Sequence, residues 1–236
     1  MAAMKPTSSR RPSRWVVVAA FAVAIAAAVA LIAAALLLRN DGGSTATSST
    51  PAIDFSGIPQ AGAMLGAPQA KVTLIEYADV QCPACRIYTE EVLPTVVDEY
   101  VRPGKVKAEY RGYPFLGEDS LKGERFLLAA AEQGKLWQLV DAFYRNQGAE
   151  NSGWLTDDLI RQLASEIPGL DVDTLFARAQ TDELGQAAQQ AAAEAQSAGI
   201  SGTPTLLVKI GDADPYQIQV ATPDQVRAAL DDALKG

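Results

Sequence analysis

Cys82 and Cys85 are the only two cysteines in the 236-residue chain. They lie three positions apart in the stretch Glu76-Tyr-Ala-Asp-Val-Gln-Cys-Pro-Ala-Cys-Arg86. Two thiols at this spacing can close into a small disulfide ring and reopen, which is two-electron redox chemistry. The apolar run Val72-Thr73-Leu74-Ile75 precedes them and a helix-forming run begins at Arg86. A strand therefore delivers the pair to the start of a helix. Cys82 would sit near that helix N-terminus, where unpaired N–H groups and the macrodipole favour a thiolate. Two other readings of the pair stay open. A zinc half-site would need further ligands from a second chain, because the sequence has no histidine and no other cysteine. A purely structural disulfide at this spacing would close so short a loop that it would restrict the unfolded chain little. The lack of histidine also excludes Ser-His-Asp and Cys-His catalysis. No metal or cofactor is expected beyond the redox pair itself.

The rest of the chain must position this pair. Residues 1–14 carry Lys5, Arg10, Arg11 and Arg14 and no acid. Trp15 to Leu38 has no charged residue. As a helix it would be about 36 Å long, enough to cross a bilayer core. This apolar run exceeds a cleaved signal peptide's core, and Leu36-Leu37-Leu38-Arg39 is a poor cleavage site. The expectation is an uncleaved single-pass anchor held by membrane lipid, with a cytoplasmic basic tail and everything after residue 38 outside. Residues 39–52 read as a flexible linker and 53–236 as one folded domain. Past residue 40 the chain has 15 basic and 28 acidic residues, a net charge of −13. Such a surface repels phosphate backbones, so nucleic acid is not an expected partner.

Within the domain, Ile53 to Ala70 is rich in Gly and Pro and reads as an irregular arm with at most a short strand. Lys71 to Tyr77 is the first clear strand. Pro94 should kink the helix that follows the cysteines. Val106, Ala108 and Tyr110 alternate on a second strand. Helical periodicity then runs from about 117 to 199, with Trp137 and Trp154 as core residues. Thr205 to Ile210 and Tyr216 to Val220 form a hairpin, and Thr222-Pro223 starts a last helix.

This order of elements, with Val72 to Tyr77, Cys82-Pro83-Ala84-Cys85 and Gly202-Thr203-Pro204-Thr205, resembles the DsbA-like thiol–disulfide oxidoreductases, in particular their membrane-anchored bacterial branch. The resemblance implies an α/β thioredoxin-like fold with a mixed central sheet and a helical insertion. It implies disulfide formation in exported proteins that carry free thiols, and recharging by a quinone-linked thiol oxidase in the membrane. Taken alone, Thr203-Pro204 reads as a trans proline opening a strand. The resemblance implies instead a cis bond beside the cysteines, with Thr203 and Pro204 holding the client chain. It also places Glu76 where the family carries a buried acid, able to relay the proton of Cys85. Alternation from Val72 through Leu74 puts Glu76 on their face, while a solvent-facing strand residue is the other reading. Pro83 and Ala84 tune the pair. Strongly oxidising members carry histidine where this chain has Ala84, so a less depressed Cys82 pKa is expected. Asp79, if close, would oppose the thiolate further. Three functions stay open: disulfide donor, anchored thiol reductase or isomerase, and non-catalytic chaperone on the same scaffold.

Overall fold

The computed structural model describes residues 51–219 and 222–235. The anchor expected at 15–38 and nearly all of the linker lie outside those residues. No helix among the described residues is long and apolar enough to cross a membrane.

Six strands build one mixed sheet: β1 (Gln60–Ala61), β2 (Met64–Leu65), β3 (Val72–Ala78), β4 (Val106–Gly112), β5 (Thr205–Ile210) and β6 (Tyr216–Ile218), in the order β1-β2-β4-β3-β5-β6. β3 pairs in parallel with β4 and antiparallel with β5. Flanked on both edges and covered on both faces, β3 is buried along its whole length. Val72, Leu74 and Ala78 face the main core, whereas Ile75 and Tyr77 pack with Tyr113, Ala195 and Ile200 in a second cluster. The Gly- and Pro-rich arm forms two short strands instead of one, because β1 and β2 pair with each other and β2 pairs with the free edge of β4.

Helix α1 (Pro83–Glu91) opens directly after Cys82, with Pro83 in its first turn. The break that follows falls at Val92, ahead of Pro94. A new short helix, α2 (Leu93–Val96), continues into a π-helical turn, Val97–Val101. Pro94 thereby occupies a first-turn position, where a missing N–H disrupts no helical bond. The helices between β4 and β5 are α3 (Glu118–Glu132), α4 (Leu136–Arg145), α5 (Asp157–Ser165), α6 (Val172–Ala179) and α7 (Asp182–Ser197). Thr156, Asp171 and Thr181 cap the last three, each accepting from a backbone N–H three residues on. The closing helix α8 (Pro223–Ala233) is capped in the same way by Thr222. The expected strand position Val220 lies outside the described residues.

The insertion packs onto the sheet through large aromatics. Trp137, Phe143 and Tyr144 of α4 are fully buried. The Trp137 indole donates to the Ala63 carbonyl at 3.2 Å and meets Tyr110 edge-on. Trp154 is also in the core. A tighter contact lies where α3 crosses the end of β4. A Cβ at Gly112 would fall 2.1 Å from a carboxylate oxygen of buried Glu124. Gly112→Ala should therefore destabilise the fold by about 1–3 kcal/mol through overpacking. Urea denaturation would register this as a lower midpoint with an unchanged slope.

Candidate functional site

The redox pair is held between the start of α1 and the loop entering β5. Antiparallel pairing of Tyr77 with Thr205 brings that loop to the end of β3, next to the turn that carries Cys82. The Thr203–Pro204 peptide is cis. The Cys82 Sγ lies 3.2 Å from the Thr203 carbonyl oxygen, to which the thiol donates. The Thr205 hydroxyl donates to the Gly202 carbonyl at 2.7 Å and braces the loop. Both cysteines are unbridged thiols. Cys82 is 7 % exposed and Cys85 is 0 % exposed.

Their environments drive the two thiols apart. The Cys85 thiol stabilises the Cys82 thiolate most. The Thr203 side chain and the backbone N–H groups of Cys85 and Ala84 add to this, and the Cys82 pKa falls to about 6 despite partial burial. No histidine contributes, and the value stays above the extreme of about 3.5 known for such sites. For Cys85 the main cause is burial, reinforced by the hydrogen bond it gives to Cys82 and by that sulfur's negative charge, and its pKa rises. The pair is thus one thiol with a lowered pKa backed by a more deeply buried thiol with a raised one.

Glu76 lies in the core, 3 % exposed. Alternation alone was not what buried it, since both faces of β3 are covered. Burial, then the negative charge of Cys82, lift its carboxyl to about 8. Its Oε1 has no hydrogen-bond partner within the protein. At neutral pH Glu76 is therefore a neutral acid that can give up a proton close to the pair.

Asp79 lies on the turn that carries Cys82 and is almost completely buried. Its carboxylate accepts from the backbone N–H groups of Gln81, Phe115 and Leu116 at 2.8–3.0 Å and from the Ser120 hydroxyl at 2.6 Å. Four donors thus surround this carboxylate, one from the Cys82 turn and three from residues 115–120. Pro83 and Ala84 are exposed, as are Ile87 and Phe115. Phe115 stacks on buried Tyr113 with ring centroids 4.5 Å apart, so the segment Tyr113 to Leu116 presents an apolar edge.

Sequence reasoning missed Gln147. Its side-chain amide donates to the carbonyls of Val80 at 2.7 Å and Cys82 at 3.2 Å. A polar residue just past a helix end carries no periodic signal of such a role. Among the described residues no cluster of His, Cys, Asp or Glu could hold a metal ion.

The model of the family described as "Thioredoxin" matches residues 60–232. A Bacillus cereus protein named "Probable disulfide bond formation protein D" is 30% identical over 174 residues, covering 72% of this chain and 78% of its own. The Bacillus subtilis protein "Disulfide bond formation protein D" is 25% identical over 204 residues, 84% of this chain and 86% of its own. The crystal structure of oxidised BdbD from Bacillus subtilis superposes with a TM-score of 0.66 at 22% identity, covering 82% of this chain and 100% of that one. The family match over residues 60–232 and the 30% identity to a disulfide bond formation protein place the chain in the thioredoxin family as a DsbA-like thiol–disulfide oxidoreductase.

Proposed function

We propose that the enzyme donates disulfides to exported proteins on the outer side of the membrane, held there by residues 15–38. The observation that carries this reading is the asymmetry of the pair, with the Cys82 pKa lowered to about 6 and that of buried Cys85 raised. A thiolate stabilised in the reduced state favours reduction of the enzyme and hence oxidation of the client.

A client thiolate attacks the Cys82 sulfur of the oxidised pair. The Cys82–Cys85 bond breaks, a mixed disulfide forms, and Cys85 leaves with the electron pair and takes a proton. Glu76 is the group placed to give that proton, being neutral, buried and electrostatically coupled to Cys85. A second client thiolate then attacks the client's own sulfur in the mixed disulfide, and Cys82 leaves as a thiolate. The client loses two electrons and the enzyme gains them. A membrane thiol oxidase linked to quinone would withdraw those electrons and restore the pair. Thr203, with its carbonyl beside the Cys82 sulfur, offers strand-like backbone bonds that hold the client cysteine in line for exchange, and Pro204 fixes the loop that presents them.

In Cys85→Ala enzyme the resolving thiol is absent and Cys82 remains. Non-reducing gels from cells should show mixed disulfides with exported proteins that vanish when Cys82 is also replaced. The native pair should be recovered mostly oxidised by acid quench and alkylation. A mostly reduced resting pair would mean that electrons flow the other way, as in a reductase.

A further inference from the structure

The segment that carries Cys82 from β3 into α1 is fastened almost wholly by the helical insertion. Its own turn is closed by the Cys82 N–H on the Asp79 carbonyl at 2.9 Å. Beyond that, the Tyr144 hydroxyl donates to the Asp79 carbonyl at 3.0 Å, and Gln147 reaches Val80 and Cys82. The Gln81 side chain donates to Ser120 at 2.9 Å and accepts from the Asn151 N–H at 2.7 Å. Asp79 and Gln81 are almost completely buried.

One bond set in this network reaches the exposed Phe115. The Asp79 Oδ2 accepts from the N–H groups of Phe115 and Leu116, while Oδ1 accepts from Gln81 and Ser120. The same carboxylate therefore grips the exposed Phe115 edge with one oxygen and the Cys82 turn with the other. The mechanism above leaves this buried carboxylate unused.

We propose that Asp79 is a positioning residue that joins the Phe115 edge to the Cys82 turn as one body, so that a polypeptide docked on Phe115 is held in register with the exchanging sulfur. This rests on the reading that the clients are polypeptides. A displacement of about 1 Å at a reacting atom is enough to cost about a hundredfold in rate, so a link of this kind has kinetic consequences. Asp79→Asn is the informative change. It preserves shape but replaces one acceptor oxygen with an NH2 donor, leaving two of the four donors facing a donor.

The experiment compares disulfide exchange of the oxidised full-length enzyme with a cysteine peptide bearing apolar flanks and with glutathione, which carries no apolar flank to dock on Phe115. For Asp79→Asn the peptide rate should fall about tenfold more than the glutathione rate. Phe115→Ala should show the same selective loss. The double variant should lose little more than either single one, because both break the same link. Equal losses with both thiols, or losses that multiply in the double variant, would overturn the proposal. If Asp79→Asn does not fold, Ser120→Ala serves instead, since it removes a single donor. It should show the selective loss at about threefold, and absence of any selectivity in a stably folded Ser120→Ala enzyme would also overturn it. Failure of the polypeptide reading looks different: the wild-type enzyme itself would then show no preference for the peptide over glutathione.

Discussion

Reduced enzyme should titrate with a midpoint near pH 6 when the Cys82 thiolate is followed by its ultraviolet absorbance or by its alkylation rate. Cys85, pushed upward, should stay protonated across the same range. The effect on redox poise follows from linkage. The folded-state pKa is depressed below the ordinary thiol value of 9.0. Its stabilising contribution to the reduced protein is therefore complete above the unfolded pKa and lost as pH falls through about 6. At pH 7 a thiol of pKa 6 is about 90% ionised, against about 1% for a thiol of pKa 9, a difference worth about 1.4 kcal/mol. For a two-electron couple this equals about 30 mV. The enzyme should thus be about 30 mV more oxidising at pH 7 than an unperturbed pair of the same geometry, as measured by equilibration with glutathione. That advantage should disappear near pH 5, and a pair whose potential relative to that reference did not change between pH 5 and pH 7 would contradict the assignment. The reduced protein should also be more resistant to urea than the oxidised protein at pH 7, by the same order.

Glu76→Gln should stabilise the protein and at the same time slow the first step of exchange, in which the mixed disulfide forms. Burial is the main reason the Glu76 carboxyl stands at about 8 instead of 4.5. Because the folded-state pKa is raised, the sign is opposite to that of Cys82. The contribution to stability is complete below the unfolded value and lost as pH rises through about 8. At about 1.36 kcal/mol per pH unit, the full loss has an upper bound of about 5 kcal/mol. The variant cannot ionise and escapes this loss, so its advantage in urea denaturation should grow from pH 5 to pH 8 and then level off. Glu124, buried and also raised to about 8, should keep a similar slope in place in the variant. The cost should appear in chemistry. With no acid beside Cys85, the capture of its proton falls to water, and general-acid assistance of this kind is worth about a hundredfold or more. Rapid-mixing measurements should find slower mixed-disulfide formation, lost mainly below pH 8, where the native carboxyl still holds its proton. A variant with native kinetics throughout that range would remove Glu76 from the mechanism. Cys82 charge raises the Glu76 pKa, so oxidation of the pair should lower it, a shift that carboxyl-region infrared difference spectra can follow.

What could be read in the chain was local. The spacing of Cys82 and Cys85, the strand before them and the helix after them are adjacent in sequence, and their backbone geometry follows from short-range preferences. The start of the last helix at Thr222 was legible for the same reason, since a cap bonds only three residues ahead. The break near Pro94 was legible as an event but not as a position, because Val92, two residues earlier, yields while proline sits in a first turn.

Tertiary structure decided the rest, and the reason is distance along the chain. The Thr203 carbonyl reaches the Cys82 sulfur across 121 residues, and only the pairing of β3 with β5 puts it there. Burial of Glu76 depends on β3 being the sheet's covered centre, which a period of two cannot reveal. Asp79 sits three residues from Cys82 in sequence, yet three of its four donors come from residues 115–120, more than thirty positions away. The sequence by itself pointed to thiol–disulfide chemistry and to Cys82 and Cys85 as its candidate pair. Tertiary structure determined the rest: the start of α1 and the loop before β5 lower the Cys82 thiol, the covered centre of the sheet keeps Glu76 neutral, and the insertion holds the turn in place.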